Sequence, residues 1–261
     1  MTVMATEGGR RSSRGRLALL ALLAPLAALA LVMAGCTATA TKRPPPRVLH
    51  LGALREMFAS ESAPGTAHVA PLLARPHAYA LGPLAGLRGE ILVWDGAAFV
   101  SRIGGGAVRV TVDPAASGPM LVWSHVKEWR DVALPEEVKS LADLDPWLEK
   151  TARELKLDEA LPFAFLVLGA TERATVHVMD LAEGAAVTHE AHDAAKHSIE
   201  LGAAPIQALG FFAPAAADAT GVWVHHASRL HVHLRTLLGH VVGHVDDWTL
   251  APGATVKFAW R

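Results

Sequence analysis

Two histidines separated by a single residue, with a third close behind them, place the strongest constraint on how this chain can fold. The pair lies in the segment Leu230–Leu234, and the third histidine is His244, which follows Gly243. Side chains two residues apart on a β-strand point to the same face, so His231 and His233 would share one face of a strand here. The pattern therefore favours a strand that directs two imidazoles to one point.

The turn after this strand decides where the third histidine lies. A turn of two or four residues within Thr236–Gly239 would bring His244 opposite His231, at a Cβ separation of about 4.5–5.5 Å. A loop of three or five residues would direct His244 to the other face of the sheet. With the even-numbered turn, we expect His231, His233 and His244 to bind one metal ion.

Composition restricts the other donors that such a site can use. Cys36 is the only cysteine, so the chain has no disulfide framework, and the ion must be held by His, Asp or Glu side chains. Imidazole suits zinc, but also copper, nickel and iron, so the sequence leaves the metal open. Of 14 histidines in the chain, His225, His226 and His240 lie near the trio without its spacing. We interpret these three as neighbours of the site rather than ligands.

The first 35 residues have the composition of a secretory signal. Four arginines (Arg10, Arg11, Arg14 and Arg16) precede the apolar run Leu17–Met33, which ends in Met33-Ala34-Gly35-Cys36. Small residues that lead straight into a cysteine are typical of a bacterial lipoprotein signal. We expect a signal peptide over 1–35, lipidation of Cys36, and a protein exported to the bacterial cell envelope, anchored in the membrane and facing the periplasm. The alternative is an uncleaved N-terminal anchor.

The segment after the signal predicts a spacer and no nucleic-acid partner. Residues 36–47 contain three consecutive prolines, Pro44–Pro46, which favour a stiff, extended tether. Without residues 1–35 the chain loses four arginines and Glu7, which leaves 20 basic and 24 acidic residues and a net charge of −4. The basic residues are scattered, which argues against binding to nucleic acid.

Strand patterns dominate residues 48–261, which we interpret as one domain. Two helices are predicted, over Leu49–Phe58 and from Asp145-Pro146 to about Lys156. Asp95-Gly96 suits the type I′ turn of a hairpin. The predicted strands are 90–94, 97–103, 107–112, 120–126, 163–168, 174–179, 207–212, 221–225, 230–235, 241–248 and 254–260. The pattern predicts an α+β fold with mixed, mostly antiparallel sheets. Its N-terminal sheet layer spans about 48–170 and its metal-binding layer about 171–261.

Three stretches of the sequence resemble the α-acetolactate decarboxylase family. The first is Leu51-Gly52-Ala53-Leu54, which leads into a short helix. The second is Leu81–Ile91, which ends in Gly-Glu-Ile and runs on to Trp94–Phe99. The third is the His-x-His…Gly-His-Val block itself. Their order and separation extend over nearly the whole of residues 48–261, which implies the fold of this family.

The resemblance also implies a chemistry. In that family the histidines that match His231, His233 and His244 bind zinc, and the glutamate that matches Glu90 lies close to the metal. The family enzyme converts 2-acetolactate to acetoin and CO₂, and zinc stabilises the enediolate that loss of CO₂ leaves. The nearby carboxylic acid can deliver a proton to the carbanion carbon. The resemblance thus implies a small hydroxy-keto acid as substrate and a homodimer as the assembly.

Other residues depart from the family pattern. Met179 stands nearest to a family arginine that holds the substrate carboxylate, and a thioether cannot supply the paired donors of that arginine. His177 could replace the arginine, although its alternation with valines favours a solvent-exposed strand histidine. Pro83 replaces a threonine, Arg88 replaces an aspartate, and the sequence reaches Arg261 without the family's acidic tail. The metal half of the site is kept, and the half that recognises substrate is altered.

Two hypotheses of different classes follow. In the first, the protein is an exported, metal-dependent decarboxylase with Glu90 as its catalytic acid. In the second, it is an envelope lipoprotein that keeps the fold and the metal but serves as a binding or structural module. For Glu90 itself, the alternative to a role in the site is an exposed carboxylate at the edge of a strand. Metal buffering by the histidines is a weaker third reading, because buffering tracts are usually flexible and repetitive.

Overall fold

Two large antiparallel sheets, a two-stranded ribbon and a few helices make up the computed structural model, which describes residues 42–215, 217–225 and 228–261. This architecture confirms the predicted α+β class with mostly antiparallel sheets. The predicted signal peptide, Cys36 and the first half of the tether lie outside the described residues. Within those residues, no helix is long and apolar enough to cross a bilayer.

The first sheet carries six strands. They are β1 (Leu49–Leu51), β3 (Ala78–Pro83), β4 (Glu90–Trp94), β5 (Ala97–Gly104), β6 (Ala107–Val112) and β8 (Leu121–His125), in the order β1-β8-β3-β4-β5-β6. A separate two-stranded ribbon joins β2 (Ala67–His68) to β7 (Ser117–Gly118). Every pairing in the six-stranded sheet is antiparallel.

The predicted hairpin is confirmed in this sheet. Trp94 pairs with Ala97, and the turn between them has φ values of 46° at Asp95 and 83° at Gly96, as a type I′ turn requires. Because side chains alternate along β4, Glu90 points to the same side as the buried Leu92. That side of the sheet faces the second sheet.

The second sheet carries seven strands and closes partly on itself. They are β9 (Trp129–Ala133), β10 (Phe163–Met179), β11 (Lys196–Leu201), β12 (Ala204–Phe212), β13 (Leu230–Thr236), β14 (Val242–Leu250) and β15 (Thr255–Ala259). The main order is β12-β13-β14-β10-β15-β9, and β11 pairs with β10. The first half of β10 also pairs with β12, while its second half pairs with β14. Strands β10, β12, β13 and β14 therefore form a closed ring of hydrogen-bonded neighbours.

The position of β10 changes the predicted layer boundary. Two separate strands were expected over 163–168 and 174–179, but the chain continues without a break for 17 residues. The expected boundary near residue 170 thus falls inside β10. The second sheet already includes β9, so the chain passes from one sheet to the other between His125 and Trp129.

The described residues contain four α-helices, two of which were predicted with other bounds and two of which were not predicted. They are α1 (Leu54–Ala59), α2 (Ala70–Leu73), α3 (Leu141–Glu154) and α4 (His189–Ala194), with a 3₁₀ turn at Ala85–Leu87. The first predicted helix was too long, because Leu49–Leu51 is paired with β8 as a strand. The second helix was predicted with Asp145 as its N-cap, but the observed N-cap is Ser140, five residues earlier. Ser140 and Asp143 form a reciprocal capping box there, and Pro146 lies inside the helix.

Some segments had no correct prediction. The strands β2, β3, β7, β9 and β11 and the helices α2 and α4 were not predicted from the sequence. The strand predicted over 221–225 is wrong, because this segment is a series of turns held by backbone hydrogen bonds such as Val222 N–H to Ala219 O, 3.0 Å. An apolar run of five residues does not distinguish a buried turn from a strand.

Alternation along β10 divides the core into two layers. Phe163 and Phe165 contribute to a cluster under α3, whose Leu144 and Leu148 are fully buried against it. Leu166, on the other face of β10, belongs to the cluster between the two sheets. The second sheet is therefore covered on both faces, by α3 on its outer face and by the first sheet on its inner face.

The predicted tether is shorter than expected. Arg43 donates its backbone N–H to Lys156 O at 2.8 Å and accepts from Asp158 N–H at 2.9 Å. Its guanidinium lies 4.6 Å above the ring of Trp260, and Pro45 is buried. From Lys42 onward the chain packs on the domain instead of standing away from it.

Candidate metal centre

The three predicted histidines converge on the inner face of the second sheet. Each offers a ring nitrogen, and these atoms from His231, His233 and His244 lie within 4.8 Å of one another. The four residues 237–240 separate Thr236 from Val241, which are joined by a backbone hydrogen bond of 3.1 Å. The even-numbered loop preserves the face as predicted. The predicted register is wrong, however, because His244 pairs with His233 rather than with His231.

Backbone contacts fix the orientation of His233. Its Nδ1 donates to the carbonyl oxygen of Ile91 at 3.0 Å, and the side chain is fully buried. The proton on Nδ1 leaves Nε2 as the nitrogen with a free lone pair. That Nε2 lies 3.6 Å from Glu90 Oε2 and has no hydrogen-bond partner among the described residues.

The donor set fits a metal ion. His231 Nδ1, like His233 Nε2, is buried without a hydrogen-bond partner in the described chain. A buried polar atom without a partner costs about 1–3 kcal/mol, and a coordinated cation would offset that cost at two nitrogens. Three imidazoles around one point, with room left for a further ligand, are typical of zinc sites that keep an open position. Other imidazole-binding metals share this donor preference.

Burial keeps the three rings neutral, which is the form that binds a metal. It lowers the pKa of His233 to about 3, with repulsion from His177 as the next cause. It also lowers the pKa of His231 and of His244 well below the ordinary value, and the neighbouring histidines add to the effect. In this environment protons compete poorly with a metal for the three nitrogens.

Glu90 reaches the trio from the first sheet. It is 2% exposed, so the alternative of an exposed edge carboxylate is wrong. Its Oε1 accepts from the backbone N–H of Met179 at a long 3.4 Å. Burial raises the pKa of Glu90 well above its ordinary value, the Met179 contact opposes this, and Asp246 adds repulsion. The neutral acid is thus favoured, although a bound cation would act in the opposite direction.

A glycine allows Glu90 to lie where it does. Gly89 has a φ of 145°, and a Cβ added there would lie 2.0 Å from the carbonyl oxygen of Ser101. No larger residue could hold this backbone against the neighbouring strand. The Gly-Glu pair of the sequence therefore has a structural cause as well as a chemical one.

His177 also belongs to the site, so its expected solvent exposure is wrong. It is 6% exposed, and its ring centroid lies 4.8 Å from that of His244. Its Nδ1 donates to both carboxylate oxygens of Asp246, at 2.8 and 2.9 Å. The other ring nitrogen, Nε2, is left for a ligand.

Irregular strand pairing explains why sequence alternation misplaced His177. Thr175 pairs with Asp247 and Val176 with Val245, so Asp246 is the extra residue of a β-bulge in β14. A second irregularity, at Glu172 in β10, changes which alternate residues face inward. Together they direct His177 and its carboxylate partner to the inner face.

Close packing of β14 against β10 requires a glycine before the third histidine. A Cβ added at Gly243 would lie 2.8 Å from the carbonyl oxygen of His177. This distance is shorter than a van der Waals contact between carbon and oxygen, so β14 would have to move away from β10. Gly243 therefore keeps His244 within reach of the other two histidines.

A narrow inner cavity of about 30 Å³ lies next to the trio. Glu90, His231 and Met179 line it, together with Met57, Pro83 and Met120. A wider cleft of about 650 Å³ continues outward from it, and the two share Leu54, His177, His192, His225 and His244. The site is thus buried but reachable.

The other predicted neighbours differ in their positions. His225 lines both spaces, whereas His240 is exposed on the β13–β14 loop, and His226 lies outside the described residues. Arg88 lies away from the trio in an exposed ion pair with Glu183, at 2.9 Å. Sequence reasoning missed Asp246 and His192 entirely, because no spacing connects either of them to the metal motif.

Two solved structures share this fold over most of the chain. A Staphylococcus aureus protein of unknown function, described as similar to α-acetolactate decarboxylase, superimposes with a TM-score of 0.65 at 18% identity, over 81% of this chain and 84% of that chain. The α-acetolactate decarboxylase of Bacillus subtilis strain 168 gives 0.64 at 16% identity, over 82% and 86%. At these identities the likeness shows the fold alone. No family model and no curated protein matches the sequence.

Proposed function

We propose that this protein is a metal-dependent carboxy-lyase of the acetolactate decarboxylase type, which acts on a small 2-hydroxy-3-keto acid. One observation carries the proposal: three neutral imidazoles converge beside the buried carboxyl group of Glu90, at 3.6 Å from His233. Three histidine ligands without a neighbouring acid such as Glu90 would suit a metal ion with a purely structural role. The fold likeness makes 2-acetolactate the first substrate to test.

His231, His233 and His244 would hold the ion, which we propose to be zinc. When bound, it would supply Lewis acidity to the oxygens of a hydroxy-ketone. The side chains around it would exclude water, since Met120, Met179 and Leu87 line the inner cavity.

Glu90 is the proton donor in this proposal. Loss of CO₂ breaks the bond between the carboxylate and the adjacent carbon, and the electron pair remains on that carbon. The carbon then takes a proton, which the carboxylic acid of Glu90 is placed to deliver. Solvent returns the proton to Glu90, so the reaction consumes one proton for each CO₂ released.

The predicted location and assembly belong to the same proposal. A lipid on Cys36 would anchor the domain in the bacterial cell envelope, on the periplasmic side, and the domain would form a homodimer. Because the chain packs on the domain from Lys42, the free spacer after Cys36 would be only a few residues long. The domain would then lie close to the membrane surface.

The decisive experiment combines metal analysis with an acetoin assay. We expect about one metal ion per chain, acetoin from 2-acetolactate with wild type, and at least about 100-fold less with His233→Ala or Glu90→Gln. Glu90→Gln should keep its metal, whereas His233→Ala should not. His240→Ala, an exposed histidine of the nearby loop, is the matched control and should behave as wild type. Equal background acetoin from all four proteins would discard the decarboxylase proposal.

A second candidate function has its own supporting observation. Met179, which lines the inner cavity, offers no charged donor for a substrate carboxylate. The protein would then retain the fold and the ion as a binding module without decarboxylation. Bound metal together with background acetoin would favour this candidate.

A further inference from the structure

We infer that the substrate carries an apolar or aromatic substituent larger than methyl, which lies in the outer cleft. This inference rests on the proposed function, because it assigns the substrate class of the same site. It depends on the shape and lining of the space outside the three histidines.

The inner cavity and the outer cleft differ in size, so the reacting part of a substrate would lie in the cavity and a larger substituent would lie in the cleft. The inner cavity of about 30 Å³ has room for little more than one or two water molecules. The cleft that continues from it measures about 650 Å³, within the range of sites for drug-sized ligands. A substrate with only methyl substituents would leave most of the cleft filled with water.

An aromatic wall lines the cleft. The ring of Phe58 stacks on His189, with centroids 4.1 Å apart and an interplanar angle of 21°. Phe58 and His192 form a T-shaped pair with ring centroids 5.4 Å apart, and Leu54 and Val224 add apolar surface. Rings in this arrangement favour an offset or edge contact with a further ring.

The charges of the cleft disfavour an anionic substituent. Lys196 is paired with Asp193 at 2.8 Å, and Arg55 lies 3.9 Å from Asp218. The cleft also contains Asp246, whose carboxylate accepts from His177. Both cations that line the cleft in the described chain already have an acidic partner, so an uncharged substituent fits better than a second carboxylate.

The test compares two stable ligands by titration calorimetry on the zinc-loaded protein. One is 2,3-dihydroxy-2-methylbutanoate, and the other has a benzyl group in place of the 2-methyl group. Neither has a ketone, so neither decarboxylates. We expect the benzyl ligand to bind about tenfold tighter or better, because the cleft buries its ring. Phe58→Ala should reduce this preference by about three- to tenfold and leave methyl-ligand binding unchanged.

Phe58→Leu and His189→Ala are the companion variants. The leucine keeps apolar bulk, so Phe58→Leu should retain part of the preference for the benzyl ligand. His189 is exposed, so its replacement by alanine should not affect folding. A benzyl ligand that binds no tighter than the methyl ligand would overturn the inference while leaving the proposed function intact. Failure of both ligands to bind would overturn the inference and the proposed function together.

Discussion

The two faces of the second sheet are built from the same strands but differ in what they bury. On β13, Val232 and Leu234 point outward into the apolar cluster under α3, whereas His231 and His233 point inward. The outer face combines large apolar side chains from many elements. The inner face concentrates buried nitrogen and oxygen atoms next to one small cavity.

This difference separates stability from chemistry along a single strand. Burial of aliphatic groups on the outer face stabilises the fold without any ligand. On the inner face the same burial opposes protonation of histidines and ionisation of Glu90, so that face depends on a partner for its polar atoms. Substitutions on the inner face should therefore reduce metal affinity, whereas substitutions on the outer face should reduce the free energy of unfolding.

The largest expected effect is the loss of a ligand on the inner face. Four ligands of a structural zinc site supply about 10–16 kcal/mol in total, so the change His233→Ala should weaken metal binding by at least about 100-fold. Competition with a chelating dye measures this affinity. His240→Ala should keep the wild-type affinity, and an equal loss in both variants would show that the trio is not the site.

On the outer face, Leu148→Ala should act on stability alone. Leu148 is fully buried under the sheet, so we expect about 2–5 kcal/mol of destabilisation in urea unfolding. Metal affinity of the folded protein should change by less than about twofold, since no ligand is touched. Leu161→Ala, at a residue that is 40% exposed, is the control and should cost under about 0.5 kcal/mol. A large fall in metal affinity for Leu148→Ala would remove the distinction between the faces.

The bulge residue Asp246 gives a smaller, more selective effect. Asp246→Asn removes the charge that holds His177, and we expect acetoin formation to fall about tenfold or more with little change in melting temperature. NMR of the His177 ring nitrogens would report the altered hydrogen bond directly. Asp247→Asn is the matched control, because Asp247 forms an exposed pair with Arg173 at 3.1 Å. Similar losses in both variants would contradict a specific role for the bulge.

The most gradual effect concerns acid sensitivity. Burial, followed by repulsion from Lys196, lowers the pKa of His192 to about 4. Between pH 6.5 and 4 the unfolded chain therefore binds a proton that the folded chain does not, so this residue makes stability fall as the pH falls. In His192→Leu, the slope of unfolding free energy against pH should be shallower by up to one proton, about 1.4 kcal/mol per pH unit. Parallel curves for the two metal-free proteins from pH 8 to 4 would refute this.

Local patterns predicted the β4–β5 hairpin and the face of β13. Asp95-Gly96 has a strong conformational preference of its own, and alternation placed His231 and His233 together because β13 is regular. The even-numbered loop then kept His244 on the same face. These features depend on a few neighbouring residues, and the sequence displays such residues directly.

Features that depend on distant contacts could not be predicted. His177 required the bulges that shift β10 against β14, and nothing in Val176-His177-Val178 indicates them. The start of α3 was missed for another reason. Asp145-Pro146 is a good helix start in isolation, but the reciprocal hydrogen bonds of Ser140 and Asp143 stabilise an earlier one.

The closed ring of β10, β12, β13 and β14 has a practical consequence for the metal-free protein. Strand β13 is paired with β12 and β14, and β14 is paired with β13 and β10. This pairing should keep the three histidines at the same spacing when no metal ion is bound. A site of fixed geometry should release a bound metal ion to a chelator and bind cobalt afterwards without refolding of the protein. The exchanged protein would then be coloured, and its visible spectrum would report each ligand that enters.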